Sequence, residues 1–180
     1  NIPIQTVLLD GYDGSPTGSG NGEVALDIQM AMAMAPGLSK IIVFTGGKNG
    51  SQNDILNAMA ASNTVQNLSC SWGWGGGPST TTDAIFQQMA AQGQSFFNAS
   101  GDSDAFTTPA NSVNNIDRRS LANAPSSCPY ITQVGGTTLS VSGSGAAWQS
   151  ETVWNWGGGT GSGGGVSSYY SIPAWQTNVS

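Results

Sequence analysis

Two carboxylates that lie four residues apart in a segment of helical character are the first candidates for chemistry. At this spacing Glu23 and Asp27 project from one face of a helix, and their carboxyl groups are close enough to interact. No Lys or Arg occurs between Asn1 and Ser39 to offset them. A buried pair of carboxyls can share a proton, which creates a general base that works in acid. The same spacing fits an exposed polar helix face, so spacing alone leaves both interpretations open.

A third carboxylate follows an apolar run, in the sequence Ser100-Gly-Asp-Ser103. Asp102 therefore stands at the mouth of a predicted strand, where α/β enzymes place catalytic groups. If its surroundings keep this carboxyl protonated, it can donate a hydrogen bond to a developing oxyanion. A Gly-Asp turn that merely begins a loop is the alternative interpretation.

Tryptophan and glycine follow another apolar run, from Ser69 to Trp74 and on into Gly75-Gly-Gly-Pro78. Two Trp rings beside flexible glycine are suited to lining a groove in which strand backbone pairs with an extended peptide. Packing of both rings in a core or under a loop explains the same residues. A phosphate-binding loop is not indicated in Gly157–Gly165, because neither a helix nor a Lys follows that stretch.

The ionisable composition limits the chemistry further. The chain contains no His, which removes the usual neutral-pH general base and the commonest metal ligand, so a hydrolase built on it must use carboxylates. Four basic and ten acidic residues give a net charge of -6, which excludes the clustered Lys and Arg that nucleic-acid binding needs. Only 8% of residues are charged, and a chain with so few ion pairs to lose is suited to an acidic medium, although a secreted surface at neutral pH fits the same composition.

Alternating strands and helices position these residues. Helices are predicted near 22–35, 51–62 and 80–92, and buried strands at 6–9, 40–44, 68–71, 95–98 and 130–134. This alternation predicts an α/β fold with a parallel sheet flanked by helices and sites at the carboxyl ends of its strands. Asn21 or Gly22 is expected to cap the first helix, and Ala35-Pro-Gly37 to end it. Thr- and Ser-rich hairpin-like strands are predicted from residue 135 onward.

Two further features leave their alternatives open. Cys70 and Cys128 allow one disulfide in an oxidising compartment, or two small buried thiols. Of the four sequons, those at Asn67 and Asn98 adjoin or lie in predicted strands, so glycosylation is expected only at Asn49 or Asn178, and only in a eukaryotic host.

Several motifs in order resemble the sedolisins, the serine-carboxyl peptidases with a subtilisin-like fold and a Glu in place of the catalytic His. The resemblance covers nearly the whole chain and consists of Glu23-Val-Ala-Leu-Asp27 with Ala35-Pro-Gly37, Ser71-Trp-Gly73, Ala91-Gln-Gly93, Ser100-Gly-Asp102, Gly135-Gly-Thr137, Glu151-Thr-Val-Trp-Asn155 and Gly163-Gly-Gly-Val-Ser167.

The resemblance implies a role for each candidate residue. Glu23 would act as general base and acid, Asp27 would orient and tune it, and Asp102 would help to form the oxyanion hole. The segment Ser71, Trp72 and Gly73 would flank the backbone of a peptide or protein substrate. None of these residues is expected to bind a metal.

The same resemblance implies that part of the machinery lies elsewhere. The family nucleophile is the Ser of a Gly-Thr-Ser segment, which this sequence lacks; Gly136-Thr-Thr138 occupies the place of a different family segment. We therefore expect residues 1–180 to be a middle section of a catalytic domain that continues beyond both ends, inactive alone and paired with a complementary chain. Calcium is expected as a family cofactor, with its ligands outside this chain.

The expected setting is secreted, extracellular or otherwise acidic and outside the cytosol, and no run approaches the roughly 18 apolar residues of a membrane span. The main alternative to an acid-acting endopeptidase is an inert fragment that binds peptide or a complementary chain. An acid glycosidase is less favoured, because its two carboxyls must face each other across a sugar, about 5 to 10 Å apart.

Overall fold

The computed structural model describes residues 2–75, 79–104, 123–124, 128–145, 147–164 and 169–179. The chain divides into two compact units, Asn1–Gln66 and Asn67–Ser180. In the described residues no helix is long and apolar enough to cross a membrane.

The first unit is built on two parallel strands. β1 (Ile4–Leu8) pairs with β2 (Ile41–Thr45), and the register runs from Ile4 opposite Ile41 to Leu8 opposite Thr45. The crossover carries α1 (Asn21–Met34), and α2 (Gln52–Ala61) follows β2 after a single 3-10 turn, Gly47–Asn49. A helical crossover is what a parallel pair requires, because the chain must return to the starting end of the sheet.

Local sequence explains where α2 begins. The Ser51 hydroxyl accepts a hydrogen bond from the Asp54 backbone N–H at 3.3 Å, which satisfies one otherwise unpaired donor of the first turn. Asp54 also places a negative charge near the positive end of the helix dipole. Leu56 and Ala60, four residues apart on one face, are buried in this unit.

The first helix has the predicted end but not the predicted cap. Its C-cap is Ala35, as expected, and Glu23 lies in the first turn. The N-cap is Gly20 rather than Asn21 or Gly22, and no side chain caps the helix. Asn21 is itself the first helical residue, because the first i→i−4 hydrogen bond of the helix runs from the Val24 N–H to the Gly20 carbonyl at 3.3 Å.

The second unit contains a three-stranded parallel sheet in the order β3 (Asn67–Cys70), β5 (Ser95–Ala99), β7 (Thr132–Val134). Cys70 lies opposite Asn98, and Ala99 lies opposite Val134. α3 (Thr80–Ala91) forms the connection from β3 to β5, and its first turn is capped by the Ser79 hydroxyl. The short β4 (Trp74–Gly75) pairs antiparallel with β6 (Asn123–Ala124).

Antiparallel strands follow the parallel sheet. β8 (Thr137–Ser142) and β9 (Ala147–Val153) form a hairpin, and β10 (Asn155–Gly157) pairs with β11 (Thr160–Gly161). A 3-10 turn at Ala174–Gln176 lies near the end of the chain. The prediction of hairpin-like strands after residue 135 is therefore confirmed.

The core of the second unit lies between α3 and the sheet. Phe86 and Met89 of α3 and Phe96 of β5 are at most 1% exposed, and the two phenyl rings lie 4.9 Å apart at 51°. Leu68 of β3 extends this core. Burial of large side chains such as these is the main source of stability, at about 1.5–3 kcal/mol each.

Three of the strands predicted to be buried are less covered than expected: β2 is half-buried throughout, β7 exposes Thr132 and Val134, and β1 is mostly exposed. In β1 only Val7 is half-buried, and Ile4 and Leu8 are 51% and 44% exposed. The prediction of a buried strand was wrong for β1, because burial needs other elements packed on the faces of the sheet and the described residues leave most of its side chains exposed. No disulfide joins Cys70 and Cys128 in the described structure, so of the two alternatives the sequence left open both cysteines are thiols, with Cys128 buried and Cys70 half-buried.

Candidate functional site

Glu23 and Asp27 lie on the better covered face of α1. Both are half-buried, as are Ile28, Ala31 and Met32 further along the helix. The apolar residues Val24, Leu26 and Met30 are 37%, 50% and 51% exposed. The half-buried residues of α1 thus include two acids beside apolar side chains, whereas in the usual amphipathic pattern the covered stripe is apolar and the acids face water.

Asp102 lies in the loop that leaves β5. Ser100 is buried and donates from its backbone N–H to the Val134 carbonyl at 3.0 Å, which continues the pairing with β7. Gly101 then takes φ +101°, a conformation suited to glycine, and the Asp102 side chain emerges exposed. The turn therefore presents this carboxyl to anything that binds at the end of the strand.

Backbone hydrogen bonds hold this loop against the glycine-rich stretch. The Asp102 carbonyl accepts from the Gly161 N–H at 3.1 Å, and the Asp104 N–H donates to the Gly161 carbonyl at 3.0 Å. The Gly101 carbonyl accepts from the Gly163 N–H at 2.7 Å. These three backbone hydrogen bonds hold a loop that has no regular strand of its own. The partners Gly161 and Gly163 belong to the glycine-rich stretch in which a phosphate-binding loop was not indicated.

Serine hydroxyls add to the same contact. The Ser100 hydroxyl donates to the Gly163 carbonyl at 2.9 Å, and the Ser162 hydroxyl accepts from the Gly136 N–H at 3.0 Å. Both serines are buried. The segments after β5 and β7 and the segment after β11 are thus joined through hydroxyl bridges.

The Ser71–Gly73 segment follows β3 and therefore lies at the same edge of the sheet as Asp102. Ser71 is half-buried, whereas Trp72 is 48% exposed and Gly73 is exposed. Because β3 and β5 are parallel neighbours, their carboxyl ends meet at one edge, which is where such sheets bind ligands. Exposure of Trp72 favours the groove interpretation of this residue over burial in a core.

The buried Asn98 is the site residue that the sequence analysis missed. Its Nδ2 donates to the carbonyls of Cys70 at 2.8 Å and Trp72 at 3.0 Å, which ties β5 to the segment after β3. The strand alternation places Asn98 inward, on the same face as Phe96. A polar residue at the inward position of an otherwise apolar strand was the signal that could have found it.

The structure therefore brings Asp102 and Ser71–Gly73 to one sheet edge in the second unit, and it places Glu23 and Asp27 together on a helix of the first. Their catalytic roles stay predictions. In the described residues no group of three or more His, Cys, Asp or Glu is arranged to hold a metal ion. Calcium with ligands outside this chain stays a prediction.

Comparison with known proteins addresses the origin of this arrangement. No protein-family model matches the chain. Xanthomonalisin from Xanthomonas sp. (strain T-22) is 34% identical over 202 residues, covering 89% of the chain and 24% of that protein. Kumamolisin from Bacillus sp. (strain MN-32) is 34% identical over 184 residues, covering 96% and 32%. Sedolisin from Pseudomonas sp. (strain 101) is 33% identical over 193 residues, covering 98% and 32%.

The solved structures give the deciding observation. A structure of Pseudomonas sedolisin, a serine-carboxyl proteinase complexed with two molecules of pseudo-iodotyrostatin, matches 97% of the chain with a TM-score of 0.77 and 31% identity. The chain belongs to the sedolisin family. The predicted α/β fold class, with parallel strands flanked by helices, is thereby confirmed.

The sedolisin match is partial with respect to the relatives. The chain spans about a quarter to a third of the length of the curated relatives and 52% of the matched sedolisin structure. The activity of a whole sedolisin therefore comes to this chain only as a proposal.

Proposed function

We propose that the chain forms part of an acid-acting serine-carboxyl endopeptidase, which hydrolyses peptide bonds through a Ser outside these 180 residues. Membership of the sedolisin family supports the reaction class. The absence of His supports carboxylate machinery, because no imidazole is present in this chain to activate a hydroxyl.

The single observation that carries the proposal is the orientation of α1. Glu23 and Asp27 are half-buried, whereas Val24, Leu26 and Met30 on the same helix are exposed. Partial burial of two like charges on adjacent turns costs stability, and natural helices accept such a cost where the pair does chemistry.

Glu23 would perform the proton transfers. As a carboxylate it accepts the proton of the Ser hydroxyl while the hydroxyl oxygen attacks the scissile carbonyl carbon. The same proton then passes to the leaving amine as the C–N bond breaks, which leaves an acyl-enzyme. Glu23 next takes a proton from water, the resulting hydroxide attacks the ester, and the Ser oxygen is reprotonated. Asp27, one turn along, would orient the Glu23 carboxyl and tune its basicity.

Asp102 and the Ser71–Gly73 segment would act on the substrate. A protonated Asp102 donates a hydrogen bond to the tetrahedral oxyanion, and its exposure at the end of β5 leaves it open to do so. The Ser71–Gly73 backbone would flank the extended peptide, with the Trp72 ring at the groove surface.

A complementary chain or segment is proposed as the partner that carries the nucleophile. β8 and β9 are exposed along their whole length, and four of their apolar residues are 45–71% exposed: Leu139, Val141, Trp148 and Val153. Apolar strands in this state favour pairing with further polypeptide. Calcium, if it is the family cofactor here, would bind to that partner.

A secreted, acidic setting is proposed on the same grounds as the acid chemistry. Few charged residues limit self-repulsion as the carboxylates become protonated, and the resemblance to sedolisins agrees with an extracellular peptidase.

Trapping with a peptide aldehyde at acid pH tests the proposed function. The aldehyde forms a hemiacetal with an activated Ser, and mass spectrometry locates the adduct on the chain or on a co-purifying one. An adduct on a Ser of a Gly-Thr-Ser segment, together with peptide hydrolysis, is expected. Absence of both from the native, unprocessed source protein would overturn the proposal.

A second candidate is an inert fragment that binds peptide or a complementary chain. The lack of any Gly-Thr-Ser segment in these 180 residues favours it. The intact mass of the purified native material separates the two: a further species containing that segment supports the peptidase, and a lone 18.3 kDa chain supports the inert fragment.

A further inference from the structure

Asn98 is almost completely buried, at 2% exposure, and both hydrogens of its amide nitrogen are used. The carbonyl oxygens of Cys70 and Trp72 accept them at 2.8 and 3.0 Å. These acceptors belong to the backbone that leaves β3, whereas Asn98 belongs to β5. The Asn98 side chain on β5 therefore holds the turn that follows the neighbouring strand β3.

Few side chains can make this contact. The site needs two N–H donors that diverge from one atom, and the primary amide of Asn supplies them at the right length. An apolar side chain of similar size would remove both of these hydrogen bonds, and the Trp72 carbonyl would retain the longer contact with the Cys70 thiol at 3.6 Å. The loss of two hydrogen bonds from a buried donor group is costly.

The contact also sets the direction of the Trp72 carbonyl. The Cys70 thiol lies within the same turn, where its sulfur accepts from the Trp72 N–H at 3.4 Å. With the carbonyls of Cys70 and Trp72 held inward by Asn98, the backbone of the turn has one arrangement rather than several. What remains on the outer side is the exposed part of the segment, namely the Trp72 ring and Gly73.

We propose that Asn98 is a positioning residue for substrate binding, which acts by fixing the Ser71–Gly73 backbone in the orientation that flanks an extended peptide. The inference rests on the proposed peptidase function for its consequence, though not for its geometry. Asp102 follows Asn98 by four positions, in the loop that leaves β5, so the same segment aligns the peptide-flanking turn and carries the proposed oxyanion donor.

Labelling of Cys70 tests whether Asn98 fixes the turn after β3, and it needs no assay of activity. The thiol of Cys128 is 4% exposed and its pKa is raised to about 12 by burial, so iodoacetamide near neutral pH reports chiefly on Cys70. In the 180-residue chain, Asn98→Leu and the isosteric Asn98→Asp are each expected to raise the Cys70 labelling rate about tenfold, since one or two buried hydrogen bonds are lost.

Gln94→Leu is the matched control. Gln94 is 4% exposed and polar, lies just before the same strand and accepts a hydrogen bond from the Gln92 side chain at 2.9 Å. It is expected to lower the melting temperature without changing the labelling rate. An unchanged Cys70 rate in a folded Asn98→Asp or Asn98→Leu protein would overturn the proposal, as would an equal acceleration by Gln94→Leu.

Peptide hydrolysis tests the consequence in the enzyme assembled with its nucleophile-bearing segment. Asn98→Asp is expected to raise KM about tenfold for a long peptide with a smaller change in kcat, because the peptide-flanking segment and not the proton shuttle is altered. A fall in kcat alone would contradict the positioning role. If the assembled wild-type enzyme has no activity, the proposed function fails, while the labelling result still decides whether Asn98 fixes the turn.

Discussion

Asp102 and Asp104 lie two residues apart in one loop yet have opposite environments. Asp102 is exposed, whereas Asp104 is 5% exposed and adopts φ +56°. Asp and Asn tolerate this left-handed conformation better than other non-glycine residues, which explains how the loop turns inward at Asp104. The inward turn places the Asp104 carboxyl against Gly161, so the shape of the loop depends on a glycine almost sixty positions away.

Gly161→Ala is expected to distort this loop. A Cβ at Gly161 would come within 1.8 Å of an Asp104 carboxylate oxygen and 2.8 Å of the Trp154 carbonyl, so the backbone must move. We expect a loss of about 1–3 kcal/mol in the free energy of unfolding, measured by chemical denaturation. Gly37→Ala, where a Cβ meets nothing within 4 Å, is the matched control and should stay within about 0.5 kcal/mol of wild type. Equal stability of the two variants would show that the loop does not need this close approach.

Glu23→Gln is expected to abolish catalysis without unfolding the chain. The amide has the shape of the carboxylic acid but cannot take a proton from the Ser, so kcat for peptide hydrolysis by the assembled enzyme should fall about 100- to 10,000-fold. Asp54→Asn removes an exposed acid from the first turn of α2 and is the control, with kcat unchanged. Retention of most activity by Glu23→Gln would remove Glu23 from the mechanism.

Among the elements, α3 holds the segment around Tyr170 through a partly buried polar cluster. The Tyr170 hydroxyl lies 2.8 Å from both oxygens of the Asp83 carboxylate in the first turn of α3. Burial raises the pKa of Tyr170 and, together with the nearby Asp83, keeps the phenol protonated. Burial also raises the pKa of the Cys128 thiol, from 9.0 to about 12.

The cluster predicts a loss of stability in alkali. The folded pKa of Cys128 lies above its unfolded value, so its contribution is fully present below pH 9 and declines as the pH rises from 9 to about 12. In Cys128→Ala the free energy of unfolding should fall less steeply over this window, as measured by denaturation at a series of pH values. Cys70→Ala, at the half-buried thiol, is the control. Identical slopes for Cys128→Ala and wild type would show that the thiol does not ionise on unfolding.

The order and type of the main elements were predictable because their causes are local. Strands such as β2 are β-branched and apolar, α2 begins at a capping Ser51, and α1 ends before Pro36. Cover and pairing were less predictable because they depend on distant residues. The exposure of β1 depends on what packs against it from elsewhere in the chain. The Asp102 loop pairs with Gly161, and Asn98 contacts the Cys70–Trp72 turn, and in both cases the partners are far apart in the sequence.

At the scale of the whole molecule, the chain shows a family fold whose surface is unusually apolar in places. The β8–β9 hairpin is exposed on both faces in the described structure, and a two-stranded hairpin is only marginally stable in water. A partner that covers one face would account for apolar side chains such as Trp148, which is 66% exposed.

Hydrogen exchange should show whether a partner covers the β8–β9 hairpin. In the assembled enzyme, backbone amides of β8 and β9 are expected to exchange about tenfold or more slowly than in the 180-residue chain, because a packed partner suppresses local opening. The amides of β5, which is paired on both sides already, are the internal control and should change little. Equal exchange of the hairpin in both samples would contradict a partner at this surface.

The pH dependence of kcat/KM tests the central claim, that a carboxyl pair on α1 replaces imidazole as the proton shuttle, most directly. Glu23 must be ionised to act as base and Asp102 must be protonated to donate, so activity has one limit on each side. We predict a bell-shaped profile confined to acid for the assembled enzyme. A plateau that extends through neutral pH would contradict a carboxyl proton shuttle.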